Sequence, residues 1–119
     1  MIGDNNNSSH VSNSYATGNV SAANSDVGGL IGDNDSSTVT DSYATGSATS
    51  TGAGDVGGLI GDNNNSSHVS NSYASGVVSA SGDDVGGLIG NNDSSTVTDS
   101  YATGSTTSTG GGDVGGLIG

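Results

Sequence analysis

A 29-residue period runs the length of the chain and limits its fold more than any other feature. Gly-Leu-Ile-Gly occurs at residues 29–32, 58–61, 87–90 and 116–119, and Met1-Ile2-Gly3 fits the same register with Met in place of Leu. A fixed period of about 20–50 residues marks stacked repeats, in which no unit buries its apolar face alone and each neighbour completes the next.

The units are of two kinds that alternate. Residues 4–15 return unchanged as 62–73, and residues 33–43 return as 91–101 with one change. Tyr15, Tyr43, Tyr73 and Tyr101 are therefore 28, 30 and 28 apart, while the Gly-Leu-Ile-Gly motif keeps a strict period. Both length differences fall in Asn/Ser/Gly-rich segments, where turns absorb insertions. The pattern predicts three short strands per unit, in the second unit 38–44, 47–51 and 56–61. Corners fall at Thr45-Gly46, where Gly supplies a positive φ, before Val56 and after Gly61. Within 38–44 a period of two puts Val39 and Tyr43 on one face. Stacking at about 4.8 Å would set Val on Val and Tyr on Tyr, building a narrow core from few apolar residues.

Economy of that kind is required by the composition. Only 29% of residues are hydrophobic and 3% aromatic, too few to fill a compact core for 119 residues. A disordered linker of the same composition has no reason to hold Val, Tyr and Leu-Ile in fixed columns. All twelve charged residues are Asp, for a net charge of −12 without any Lys or Arg, so phosphate backbones and anionic lipids are repelled. No nucleic-acid partner and no membrane insertion are expected. Val-Gly-Gly-Leu-Ile-Gly is far short of the roughly 20 apolar residues that span a bilayer. Residues following Met1 lack the basic and apolar regions of a secretory leader, so a secreted form would be a mature piece or a fragment. Without Cys there is no disulfide framework.

Gly-Leu-Ile-Gly, with Asp-Val-Gly just before it and Ser-Tyr-Ala-Thr-Gly about midway between copies, resembles the GLUG motif of large bacterial and archaeal surface proteins. These include haemagglutinin-like adhesins and non-catalytic parts of secreted IgA-cleaving proteases. The resemblance covers the whole chain. It implies a β-solenoid serving as an extracellular stalk or adhesive surface, with no catalytic residues and no ligand site to carry over.

The fold expected is all-β, a parallel β-solenoid (β-helix) wound right-handed by the crossover rule. Its single domain, residues 1–119, would comprise coils 1–29, 30–58, 59–87 and 88–116, with 117–119 starting a fifth. Asp26, Asp55, Asp84 and Asp113 recur once per coil and would stack as a column of like charges. Such a column suits either hard cations, Ca²⁺ above all, or solvated carboxylates that splay apart. Asp33-x-Asp35-x-Ser37 is a second oxygen-rich loop, with no Glu following to chelate. With no base in the chain, most folded Asp pKa values should be raised. Stability would be fullest below the unfolded value, about 3.9, and would fall as pH rises.

A further column, Asn13, Asp41, Asn71 and Asp99, spaces its charges two coils apart and lets the neutral neighbours hydrogen-bond along the stack. His10 and His68 lie two coils apart, too far to share a metal. Thr38-Val39-Thr40 and Thr96-Val97-Thr98 would form an ice-binding hydroxyl array if coils with His10 and His68 did not interrupt it. Asn-x-Ser triplets at Asn6, Asn7, Asn19 and Asn34 follow from a composition rich in both residues. No nucleophile, base and orienting group converge, so the function expected is structural, non-enzymatic and extracellular. Coil ends open to self-association would make it a fibre or adhesin segment. A Ca²⁺-binding or ice-binding surface module is the alternative.

Overall fold

Each repeat is divided into five short strands rather than three, and two of the boundaries are cut by residues in the left-handed backbone conformation. In a computed structural model that describes residues 1–23, 25–52 and 54–119, the second unit contains Ile31–Asp35, Thr38–Thr40, Tyr43–Ala44, Ala48–Ser50 and Val56–Gly57. The expected strand 38–44 is cut at Asp41, whose φ is 50°, and Asn13, Asn71 and Asp99 sit at 48°, 49° and 50° in the other coils. Asn and Asp tolerate this region better than other non-glycine residues, which explains why this column admits only these two. The expected strand 56–61 is interrupted between Val56–Gly57 and Ile60–Asn64. Ile60–Asn64 carries on through the Asp-Asn segment expected as a corner. Gly46 does not take a positive φ; it is small because a Cβ there would lie 2.1 Å from the Gly18 carbonyl oxygen of the coil below.

The five strands of a coil pair in parallel with their equivalents in the next, giving five four-stranded sheets. Ile2, Ile31, Ile60 and Ile89 are register partners in turn, and Ile118 bridges to Ile89. Val11, Val39, Val69 and Val97 form a second column, and Val27, Val56, Val85 and Val114 a third. The chain is thus a parallel β-solenoid of about four turns, and among the described residues it has no helix.

Two apolar columns fill the interior. Leu30, Ile31, Val39 and Ala44 pack with their equivalents in the next coils, and Val27, Ala48, Val56, Val78, Ala80 and Val85 form a second cluster. Full burial of one such Ile or Leu is worth about 1.5–3 kcal/mol. The Tyr residues are not part of this core. The turn at Asp41 reverses the alternation beyond it, so Ser42 and Ala44 point inward while the Tyr column points outward, with Tyr15 64% and Tyr101 54% exposed. The shared face expected for Val39 and Tyr43 is corrected accordingly.

The two unit lengths have a local cause. Where one kind of unit turns through two left-handed residues, Asn7-Ser8 or Asn65-Ser66, the other turns through one, Ser36 or Ser94. Strand register resumes at once on the far side, with Ser37 N–H donating to Ser67 Oγ at 3.0 Å. The compensating difference falls between Ala22 and Val27 and between Ser50 and Val56, corners that contain residues 24 and 53 and so extend outside the described residues.

Candidate functional site

The acidic columns are held by the backbone. Asp26 Oδ1 accepts the Asp55 N–H at 3.0 Å, Asp55 Oδ1 the Asp84 N–H at 3.1 Å, and Asp84 Oδ1 the Asp113 N–H at 3.0 Å. Instead of splaying apart, each carboxylate ties its corner to the corner of the next coil, and the N–H donor offsets part of the repulsion between neighbours.

Beside it runs a second column, Asp4, Asp33 and Asp62 in strand register, with Asn91 in the fourth coil. Burial first, then the charges of Asp62, Asp4, Asp35 and Asp26, push the Asp33 carboxyl up to about 6. Burial also raises Asp62 against the opposing hydrogen bond from Asn64 Nδ2 at 2.8 Å, and raises Asp55 against the Asp84 N–H. Asp62 Oδ1 is buried without a partner. The rise expected for the Asp residues is found at Asp33, Asp55 and Asp62. Asp35 accepts from Asn65 Nδ2 at 2.8 Å and Ser36 Oγ at 2.9 Å. Among the described residues no three His, Cys, Asp or Glu side chains converge as a metal centre would require; Asp26, Asp55, Asp84, Asp113, Asp33 and Asp35 lie along lines.

A raised carboxyl pKa favours the protonated form of the folded chain. The Asp33 contribution is fully present below the unfolded value near 3.8 and is lost as pH rises through about 6. Two pH units correspond to about 3 kcal/mol, which screening by the water around this partly exposed carboxylate cuts to about 1 kcal/mol. The melting temperature is expected to fall between pH 4 and pH 7, and Asp33→Asn to flatten that profile and raise the pH 7 value. Thermal melts of both proteins by circular dichroism across this range check it; a wild-type melting temperature that rises with pH contradicts it. Asn91 already occupies the equivalent place in the fourth coil.

His10 and His68 alternate with Thr38 and Thr96 along one sheet. His68 Nδ1 lies 2.7 Å from Thr96 Oγ1 and His10 Nε2 lies 3.5 Å from Thr40 Oγ1, so the imidazoles interrupt the hydroxyl face as the sequence indicates. A cavity of about 470 Å³ opens at the first coil, beside Ile2, Val20, Asp26 and Val27. Asp26 is its single acidic side chain, and its oxygen is engaged by Asp55 N–H.

Two polar ladders escape the sequence reading, and the expected stacking of Tyr on Tyr makes a third on the outer face. Asn5, Asn34, Asn63 and Asn92 point into the interior, where Nδ2 of each of the first three donates to Oδ1 of the next at 2.7, 2.7 and 2.6 Å. Asn34 and Asn63 are fully buried. The hydrogen bonding along the stack expected at Asn13 and Asn71 is made by this column. In a second pattern, Ser42 and Ser72 hydroxyls accept the N–H of Ser14 and Ser42 from the preceding coil, each at 3.2 Å, and donate to the carbonyls of Thr40 and Ser70 at 2.8 Å. The third is the outer Tyr stack, with ring centroids 5.3, 4.9 and 5.2 Å apart and planes within 9°. Asn at every one of positions 5, 34, 63 and 92 was the available signal for the first.

The GLUG motif matches the chain twice, at residues 23–49 and 81–108. The chain carries GLUG repeats. No curated protein and no solved structure matches it. The first Gly of each of the first three GLUG tetrads faces the Ala of the Ser-Tyr-Ala segment across the interior. A Cβ at Gly29, Gly58 or Gly87 would lie 2.8, 2.7 or 2.9 Å from the Cβ of Ala44, Ala74 or Ala102. The two segments therefore recur together because the glycine vacates the space that the alanine methyl fills. The Asp, Asn, Ser and Tyr side chains described above are rungs of axial columns.

Proposed function

We propose that this chain is a structural, non-enzymatic module, a stiff solenoid segment of an extracellular adhesin or fibre whose coil ends stack on further copies. The observation that carries the reading is the continuity of its cross-section. Five parallel sheets and the Asn, Ser, Asp and Tyr ladders all run along one axis, so each coil templates the next and bending breaks several of them together. The GLUG repeat and the lack of basic residues agree with a surface protein. A right-handed winding is the form that parallel crossovers favour.

Electron microscopy beside light scattering over a dilution series, with and without Ca²⁺, tests the assembly. Uniform filaments with an axial repeat near about 4.8 Å are expected; discrete monomers at every concentration would reject end-to-end stacking. A Ca²⁺ reading is favoured by one observation, the strand register that sets Asp4, Asp33 and Asp62 on successive coils. Its signature would be a melting temperature many degrees higher in millimolar Ca²⁺.

A further inference from the structure

One outer face combines features that the end-to-end reading leaves unused. The stacked Tyr15, Tyr43, Tyr73 and Tyr101 are flanked on one side by the exposed column Asn13, Asp41, Asn71, Asp99 and on the other by the exposed hydroxyl column Thr17, Thr45, Ser75, Thr103. Each ring covers the faces of its neighbours, so the stack offers edges and phenol groups, an aromatic ridge about 15 Å long between two polar columns. The flanking column alternates amide and carboxylate with a period of two coils. The left-handed backbone there accepts either residue in every coil, so backbone conformation alone does not account for the alternation.

We propose that this Tyr face is a lateral docking surface for a second copy of the chain, arranged antiparallel. A two-fold axis lying in the face and perpendicular to the solenoid axis lays every column against itself in reverse. Read in reverse, Asn-Asp-Asn-Asp becomes Asp-Asn-Asp-Asn. Asn13 then meets Asp99 of the other copy and Asp41 meets Asn71, so each carboxylate faces an amide donor and none faces another carboxylate. Tyr edges meet Tyr edges, and Thr45 meets Ser75. In a chain with twelve carboxylates and no base, a self-docking face must meet this condition, and here the alternation meets it.

The molecule measures 33 × 24 × 21 Å. One face of it buries less than the roughly 800 Å² per partner of a standard interface, so the pair is weak and forms at high concentration. Both copies are strongly negative, so association tightens as salt rises from about 0.01 M to about 1 M and the screening length shrinks. A basic partner on the same face would show the opposite salt dependence.

The test is a charge-neutral exchange read by sedimentation equilibrium at high salt. Asn13→Asp together with Asp41→Asn keeps the net charge and places no two carboxylates of the column on adjacent coils, but it sets carboxylate against carboxylate across the pair in coils 1 and 4. The dimer dissociation constant is expected to rise at least tenfold. Adding Asn71→Asp and Asp99→Asn restores the alternation in opposite phase and is expected to restore the affinity. Thermal melts verify that both variants fold. Mixed populations of Thr45→Cys and Ser75→Cys chains should give an intermolecular disulfide, which end-to-end stacking would leave unformed because both positions lie in inner coils. Monomers at all concentrations, an exchange without effect, or an association weakened by salt would overturn the proposal, whether or not end-to-end filaments form.

Discussion

Gly58→Ala is expected to remove a large share of the stability of the fold. A Cβ at this position would sit 2.2 Å from the Gly87 carbonyl oxygen of the next coil and 2.7 Å from the Ala74 Cβ. Backbone on the axial side cannot move without lengthening the hydrogen bonds of neighbouring sheets, so relief at one rung is resisted by five. Overpacking of a well-filled interior costs about 1–3 kcal/mol, and a clash with backbone belongs at or above the top of that range. Total stabilities run to about 5–15 kcal/mol, so a loss of about 3 kcal/mol or more lowers the melting temperature by roughly 10 °C in a domain of this size. Adding Ala74→Gly removes the lateral contact but not the axial one, and should rescue partially. Gly116→Ala is the control, because nothing lies within 4 Å of a Cβ there. Equal melting temperatures for Gly58→Ala and Gly116→Ala would refute the steric account.

The second large effect is expected at Asn63, from polarity rather than volume. Asn63→Leu is close in size, yet it leaves unpaired one Nδ2–H of Asn34, which keeps only its 3.4 Å bond to the Ser37 carbonyl, and the Asn92 Oδ1 acceptor on the other side. A buried polar group left unpaired costs about 1–3 kcal/mol, so two orphans should cost about 2–5 kcal/mol. Replacing all four rungs, Asn5, Asn34, Asn63 and Asn92, by Leu leaves no amide to be orphaned within the column. The fourfold variant is therefore expected to be less destabilised than four times the single one, and near it in absolute value. Chemical denaturation of the single and fourfold variants decides the matter. Strictly additive losses would mean that side-chain volume, and not the ladder, sets the cost.

Much of the architecture was legible in the sequence because stacking makes it a problem in one dimension. The period gave the stack, the in-register Val and Ile columns and the parallel pairing, since equivalent residues of successive coils must meet. What escaped notice were reversals of alternation. Asp41 lies inside a run that alternates like a strand, yet it turns the chain left-handed and sends Tyr43 outward. Ile31 and Asn34 both face the interior although three residues apart, which a strict period of two forbids, so alternation does not reveal the buried amide column. Recurrence locates the column Asp26, Asp55, Asp84 and Asp113, but not the register column Asp4, Asp33 and Asp62. The hydrogen bonds of the first are not legible either, because an Asp that accepts the N–H of its own equivalent one coil later looks, in sequence, like any exposed carboxylate.

The alternating corners at Asn7-Ser8 and Ser36 set the smallest unit in which such an array can grow. Each left-handed corner stacks on one of a different length, with the compensating residue supplied later in the same coil, so a complete cycle takes 58 residues. Recombination between equivalent points of this cycle inserts or removes two coils at a time and leaves every column in step. Loss of a single coil would bring like corners together and place Asp41 directly under Asp99. Arrays of this kind are therefore expected to differ in length by increments of about 9.6 Å, so the number of tandem copies acts as a graduated scale for reach.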